Sequence, residues 1–192
     1  MANKLYLIRH GKVDANGFIG HTDLPLNPEG IKDVEKLKAK VAEHNFDQIY
    51  SSQLRRCTET ANLLGYNSPQ IRNDMIEVNF GDWEQKTFEE IAKENPELVD
   101  KWANRGPDFA FPGGEAISDF HKRIKTLAES LFADPADSLL LITHAGVIRH
   151  LLCYFLDLSM FDYLKFKIET ASLTHLSLYG DGVILNTLNL RS

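Results

Sequence analysis

Apolar positions along this chain recur in two rhythms. Leu5-Tyr6-Leu7-Ile8 is an unbroken apolar run with Arg9-His10-Gly11 directly behind it. A run this short, closed by charge and glycine, predicts a buried strand. A polar stretch, 12–27, follows and carries Asn16, His21 and Asp23. Asn27-Pro28 has the form of a helix start, a capping side chain and then proline, and Ile31, Val34, Leu37 and Val41 recur at helical spacing up to His44. Phe46 to Tyr50 predicts a second strand and Ser51-Ser52 a helix cap. Leu54, Cys57, Ala61 and Leu64 form an apolar helical stripe that Gly65 closes.

The alternation stops at 66–115, a stretch with Pro69, Pro96, Pro107, Pro112 and several glycines. Ile71 predicts the start of an edge strand, and Glu77 to Glu84 a loop. Thr87 to Asn95 predicts a helix with Thr87 and Glu90 as its capping box, and Pro96 to Asn104 a second one. From Glu115, the spacing of Ile117, Phe120, Ile124, Leu127 and Leu131 predicts a long helix ended by Asp134-Pro135. Ser138 to Thr143 is nearly all apolar, as expected of a central parallel strand, and His144-Ala145-Gly146 leads into a broad apolar helical stripe, Val147 to Leu156. Alternation over Thr174–Tyr179 and Val183–Leu190, around Gly180-Asp181-Gly182, predicts a closing hairpin.

Strand and helix in alternation imply parallel strands joined by right-handed crossovers. The expected fold is therefore α/β: a three-layer sandwich with a mostly parallel central sheet, helices on both faces and a small helical and loop cap at about 66–115. All 192 residues are expected to form one domain. The formal charge of −6 argues against a nucleic-acid partner, because phosphate backbones require a basic face. Cys57 and Cys153 form no Cys-x-x-Cys pair, the start lacks an apolar leader core, and no run approaches membrane-spanning length. A cytoplasmic protein without a membrane partner is expected. The oligomeric state stays open, a homodimer included.

Parallel strands bring their carboxyl ends to one edge of the sheet. There the pattern would gather Arg9 and His10, one of Arg55 and Arg56, and His144 around a single crevice. Guanidinium forks and helix N-termini suit phosphate oxygens. A histidine in such a place can serve as nucleophile, and a phosphoester leaving group needs a proton. Glu77, with Ile76, Val78 and Phe80 around it, is a candidate acid, and Asp82 and Glu84 compete on residue type. Clustered arginines repel a dication, so no metal and no organic cofactor is expected. The ligand expected is a small phosphorylated metabolite.

These blocks together resemble the histidine phosphatase superfamily. Leu7-Ile8-Arg9-His10-Gly11 is similar to its signature, and Asn16 stands where that pattern places an asparagine in the phosphate pocket. Ser52 to Ala61 resembles the family stretch that selects Arg56 over Arg55. Glu77 to Gly81 with Trp83-Glu84 resembles the acid-bearing loop, which selects Glu77, and Gly113-Gly114-Glu115 and Thr143 to Gly146 match the remaining blocks. The resemblance implies that His10 attacks phosphorus, that Arg9, Arg56, Asn16 and His144 hold the phosphoryl oxygens, and that Glu77 protonates the leaving alcohol. Residues Phe18 to Asp23, Trp83 and Phe109 to Phe111 are expected on the alcohol side. Compact length and the Phe80–Glu84 and Phe111–Glu115 blocks are most similar to the branch acting on alpha-ribazole 5'-phosphate in cobalamin synthesis. Phosphatases of other small esters, such as sugar phosphates, and phosphoglycerate mutase-like phosphotransferases remain open.

Overall fold

The computed structural model describes residues 2–104, 109–180 and 182–191. Six strands form one sheet in the order β3-β2-β4-β1-β5-β6. These are β1 (Lys4–Arg9), β2 (Gln48–Ser51), β3 (Gln70–Ile71), β4 (Ser138–Thr143), β5 (Ser172–Tyr179) and β6 (Gly182–Leu190). The first four run parallel, with β1 and β2 both registered on β4, and β5 and β6 add an antiparallel edge. The α/β expectation with a mostly parallel sheet thus holds, as does the closing hairpin, although Pro107 and Asp181 lie outside the described residues.

Period-two alternation sorts β1 between two cores. Leu5 and Leu7 pack with Leu139 and Leu141 under α5 (Ile117–Phe132) and α6 (Ala145–Phe155). Tyr6 and Ile8 pack with Leu140 and Ile142 under α1 (Pro28–Val41) and α2 (Arg55–Leu64). Every residue of β4 is buried, which is why its sequence reads as a continuous apolar run. Each fully buried leucine there contributes roughly 1.5–3 kcal/mol. Asn27 caps α1 as its spacing predicts, its Oδ1 accepting from the Gly30 N–H at 2.7 Å. Gly65 ends α2 at φ 101°, a conformation glycine adopts without strain.

The stretch 66–115 holds the two-residue strand β3, α3 (Phe88–Glu94) and α4 (Pro96–Ala103), and the capping box on Thr87 is formed. A short turn of tight helix at Gly81–Trp83 interrupts what the sequence reads as loop, and another forms ahead of it at Asn73–Met75. Phe18, Phe80, Trp83, Trp102 and Phe111 meet beneath it, edge to face except for the tilted Phe18–Trp83 pair, with Trp83 to Phe111 at 5.3 Å. Two boundaries differ from expectation. Helix α5 starts at Ile117 rather than Glu115, because the main chain of Glu115 is bonded to Asn79 and Phe111 and Ala116 bridges to Ala110. Leu54, not Ser52, is the residue at the N-terminus of α2, because the Ser52 hydroxyl faces His144 at 2.8 Å. No helix among the described residues is long and apolar enough to cross a membrane.

Candidate active site

Strand ends deliver most of the site. Arg9 ends β1, His10 follows it, and His144 follows β4 as the residue preceding α6. His10 is pinned on both sides: its N–H donates to Thr143 O at 3.0 Å, and its carbonyl accepts from the Ala171 N–H at 3.1 Å. Its Nδ1 lies 2.7 Å from the Gly11 carbonyl, a bond only an N–H can make. The proton is therefore assigned to Nδ1, and Nε2 keeps its lone pair. Burial, and then the Arg9 and Arg56 guanidiniums, hold the His10 pKa well below the usual histidine value.

Arg56, in the first turn of α2, is 0% exposed and points Nε between the two imidazoles, 3.2 Å from His10 Nε2 and 3.3 Å from His144 Nδ1. Arg55 faces solvent and pairs with Glu59 at 3.1 Å, so only one of the adjacent arginines enters the site. The Arg56 fork is fixed by carbonyls of the 12–27 stretch, Nη1 on Thr22 O at 2.8 Å and Nη2 on Gly20 O at 2.6 Å. Those carbonyls are held in turn by Glu84. Its carboxylate accepts from the N–H groups of Gly20 (3.1 Å), His21 (2.8 Å) and Thr22 (3.2 Å) and from the Thr22 hydroxyl (2.6 Å). Burial acts to raise the Glu84 pKa, but these donors outweigh it and the pKa is lowered.

His144 accepts from Arg56 at Nδ1, and its Nε2–H donates to Ser52 Oγ at 2.8 Å. Burial, followed by His10 and the arginines, keeps its pKa well below the ordinary value. The two rings stand 5.1 Å apart. Arg9 donates from Nη1 to Ile168 O at 2.6 Å, while its Nε is buried without a partner.

Glu77 is buried beside this group. Its Oε1 accepts from the Val78 N–H at 3.0 Å and Oε2 from the Gly146 N–H at 2.9 Å. A Cβ on residue 146 would lie 2.2 Å from Oε1, so glycine is required there for close approach. Arg123 of α5 steadies the Glu77 loop through Ile76 O (2.7 Å) and Asp74 O (3.0 Å), and Glu115 grips the same guanidinium at 2.8 Å. Asp82 is exposed and Glu84 is committed to the 20–22 loop. Of the three carboxylates only Glu77 stands beside Arg9.

Asn16 is not brought to the group. Its side chain is exposed and lines a separate recess with Lys12, Asp14 and Asn27. A pocket of about 250 Å³ opens instead over Arg9, Glu77 and Gly146. Phe18, Ile19 and Phe111 line it as expected, but Trp83 and Phe109 are buried behind it. Gly20 and Thr22 grip Arg56, and Asp23 accepts from the Arg55 N–H at 2.7 Å. Sequence reasoning missed Trp102, Arg149 and His150 in the lining. The available signal was the adjacent polar pair Arg149-His150 within an otherwise apolar helix. Among the described residues, no three His, Cys, Asp or Glu side chains cluster as metal ligands.

A sequence profile described as histidine phosphatase superfamily, branch 1, matches residues 5–191. The chain belongs to the histidine phosphatase superfamily. This histidine phosphatase is 28% identical over 197 residues to the adenosylcobalamin/alpha-ribazole phosphatase of Salmonella typhimurium, covering 98% of this chain and 97% of that protein. Among solved structures it is similar to the alpha-ribazole phosphatase of Shigella flexneri, with a TM-score of 0.86 at 25% identity over 97% and 96% of the two chains. A mycobacterial glucosyl-3-phosphoglycerate phosphatase in complex with inorganic phosphate gives a TM-score of 0.84 at 25% identity over 98% of each chain.

Proposed function

We propose that this chain is a metal-independent phosphomonoesterase working through a phosphohistidine on His10, and that its substrate is alpha-ribazole 5'-phosphate. The observation that carries the chemistry is the state of His10: neutral, its Nδ1–H tied to Gly11 O at 2.7 Å, with the Nε2 lone pair directed at Arg56. The Nε2 lone pair forms a bond to phosphorus as the ester P–O bond breaks, and Glu77 gives its proton to the leaving oxygen. Arg9, Arg56 and His144 take the equatorial oxygens, where charge spreads in a loose transition state. Glu77 then takes a proton from water, the resulting hydroxide displaces the imidazole, and the bonding pair returns to Nε2. The orphaned Arg9 Nε supports an anion at this place. Asn16, exposed on its loop, is left out of the set.

The substrate follows from the relatives in Salmonella and Shigella, whose names carry that activity, and from the aromatic lining that would take a flat base. We read 66–115 as the cap of the same domain, since it supplies Glu77, Phe80, Trp102 and Phe111 to the site. The test is incubation with alpha-ribazole 5'-phosphate labelled at phosphorus and an alkaline quench, which preserves phosphohistidine. Wild-type protein should carry label on His10, and His10→Ala should carry none and lose turnover. Label elsewhere with turnover retained, or transfer of label between phosphoglycerates instead of release to water, would reject the proposal.

A further inference from the structure

Arg149 is a guanidinium without a counter-ion among the described residues. It lies three residues past Gly146 on α6, on the helix face that with Ala145 and His150 forms part of the pocket lining. Helical spacing of three puts it on the side of Gly146, whose N–H holds Glu77. Its Nε is buried with no hydrogen-bond partner, and no carboxylate pairs with it among the described residues. The comparison within the fold is direct: Arg123 has Glu115 at 2.8 Å, Arg72 has Asp74 at 2.6 Å and Arg55 has Glu59 at 3.1 Å. A buried N–H left without an acceptor is costly until a ligand supplies one.

The rest of the pocket points the same way. Trp102 Nε1 and Arg9 Nε are also buried without partners. Both Glu77 oxygens already accept backbone N–H groups, and Phe18, Phe80 and Phe111 are among the apolar side chains that line the pocket around them. The pocket therefore offers donors in excess of acceptors. Arg9 belongs to the phosphoryl group, which leaves Arg149 for the alcohol. We infer that Arg149 is a specificity-determining residue that selects phosphate esters whose alcohol carries oxygen acceptors, such as the hydroxyls of a sugar ring. This inference rests on the phosphomonoesterase reading of the same site and deepens it from one substrate to a class.

The experiment compares ribose 5-phosphate with cyclopentylmethyl phosphate, a carbocycle of similar shape without the oxygens. Wild-type kcat/KM should favour the sugar ester by roughly 10- to 100-fold, the range expected when a charged donor is left unpaired by the wrong ligand. In Arg149→Met that ratio should collapse toward one, with the loss on the sugar ester carried mainly by KM. Arg149→Lys should restore part of the ratio, because the charge returns without the planar fork. A ratio near one in wild-type protein, or a ratio unchanged in Arg149→Met because both esters lose in proportion, overturns the inference. Turnover of alpha-ribazole 5'-phosphate with neither ester hydrolysed also overturns the inference, whereas failure of folded wild-type protein to hydrolyse alpha-ribazole 5'-phosphate as well as both esters rejects the phosphatase reading itself, so the two failures are separable.

Discussion

His150 links the interior of α6 to the acid limit of stability. Its Nδ1–H donates to the Gly146 carbonyl at 2.8 Å, its ring stacks on Tyr163 at 4.5 Å and meets the Phe120 edge at 4.7 Å, and Nε2 has no partner. Burial pushes its pKa from 6.5 down to about 3, only partly offset by the bond to Gly146, with His121, Arg149 and Arg123 lowering it further. In the unfolded chain this ring takes up a proton around the ordinary histidine value, about 6.5. Between these two values the unfolded state binds more protons, so stability falls as pH falls. The contribution is fully present above the unfolded pKa and is lost progressively toward the folded one. From about pH 7 to about pH 5 the loss due to this residue alone works out at about 2 kcal/mol, to order of magnitude. His10 and His144 shift in the same direction and add to the slope, which is why a difference measurement is needed. His150→Phe keeps an aromatic ring against Tyr163 and Phe120 and removes the titration. Urea unfolding followed by circular dichroism at the two pH values should show wild-type protein losing about 2 kcal/mol more than the variant. Parallel pH dependence in the two proteins would refute the account.

The remaining expectations concern the site. Glu77→Gln should slow alkyl esters by about 100-fold or more and aryl esters with good leaving groups far less, since only the former need the proton; equal losses in steady-state assays of both would exclude the acid role. Gly146→Ala places a methyl group 2.2 Å from Glu77 Oε1 and should cost about 10- to 100-fold on alkyl esters through misplacement of the carboxylate. Its melting temperature is the control that separates this from general unfolding. Glu84→Gln puts an amide where five donors converge, the N–H groups of Gly20, His21, Thr22 and Phe80 and the Thr22 hydroxyl. About 1–3 kcal/mol of stability should be lost, and kcat/KM should fall because the 20–22 carbonyls no longer fix Arg56. A thermal melt paired with kinetics on one ester checks both.

What the sequence carries and what it hides divide along physical lines. The strand ends were legible because apolar runs announce buried strands, and Arg9-His10 and His144 stand directly behind two of them. Arg55 and Arg56 are adjacent and alike, and only packing separates them: one pairs with Glu59 on the surface while the other is wholly buried between two imidazoles. Glu77, Asp82 and Glu84 are likewise equal as residues. What distinguishes Glu77 is an N–H on Gly146, 69 positions away, and no local pattern encodes such a contact. The Ser52 hydroxyl departs from its expected capping role for a related reason: a helix cap is a local prediction, and His144 outcompetes it from across the sheet. Arg149 and His150 sat in view but were absorbed into an apolar stripe whose remaining members are core.

The double anchoring of His10 between β4 and the Ala171 segment has an evolutionary consequence. The main chain of the proposed nucleophile is locked by the sheet itself, whereas the walls of the pocket beside it come from the 66–115 stretch, the Phe18 turn and one flank of α6. Substitutions in those walls leave the strand ladder untouched. New esters can therefore be adopted by redecorating one rim of the crevice while the reaction centre is inherited intact.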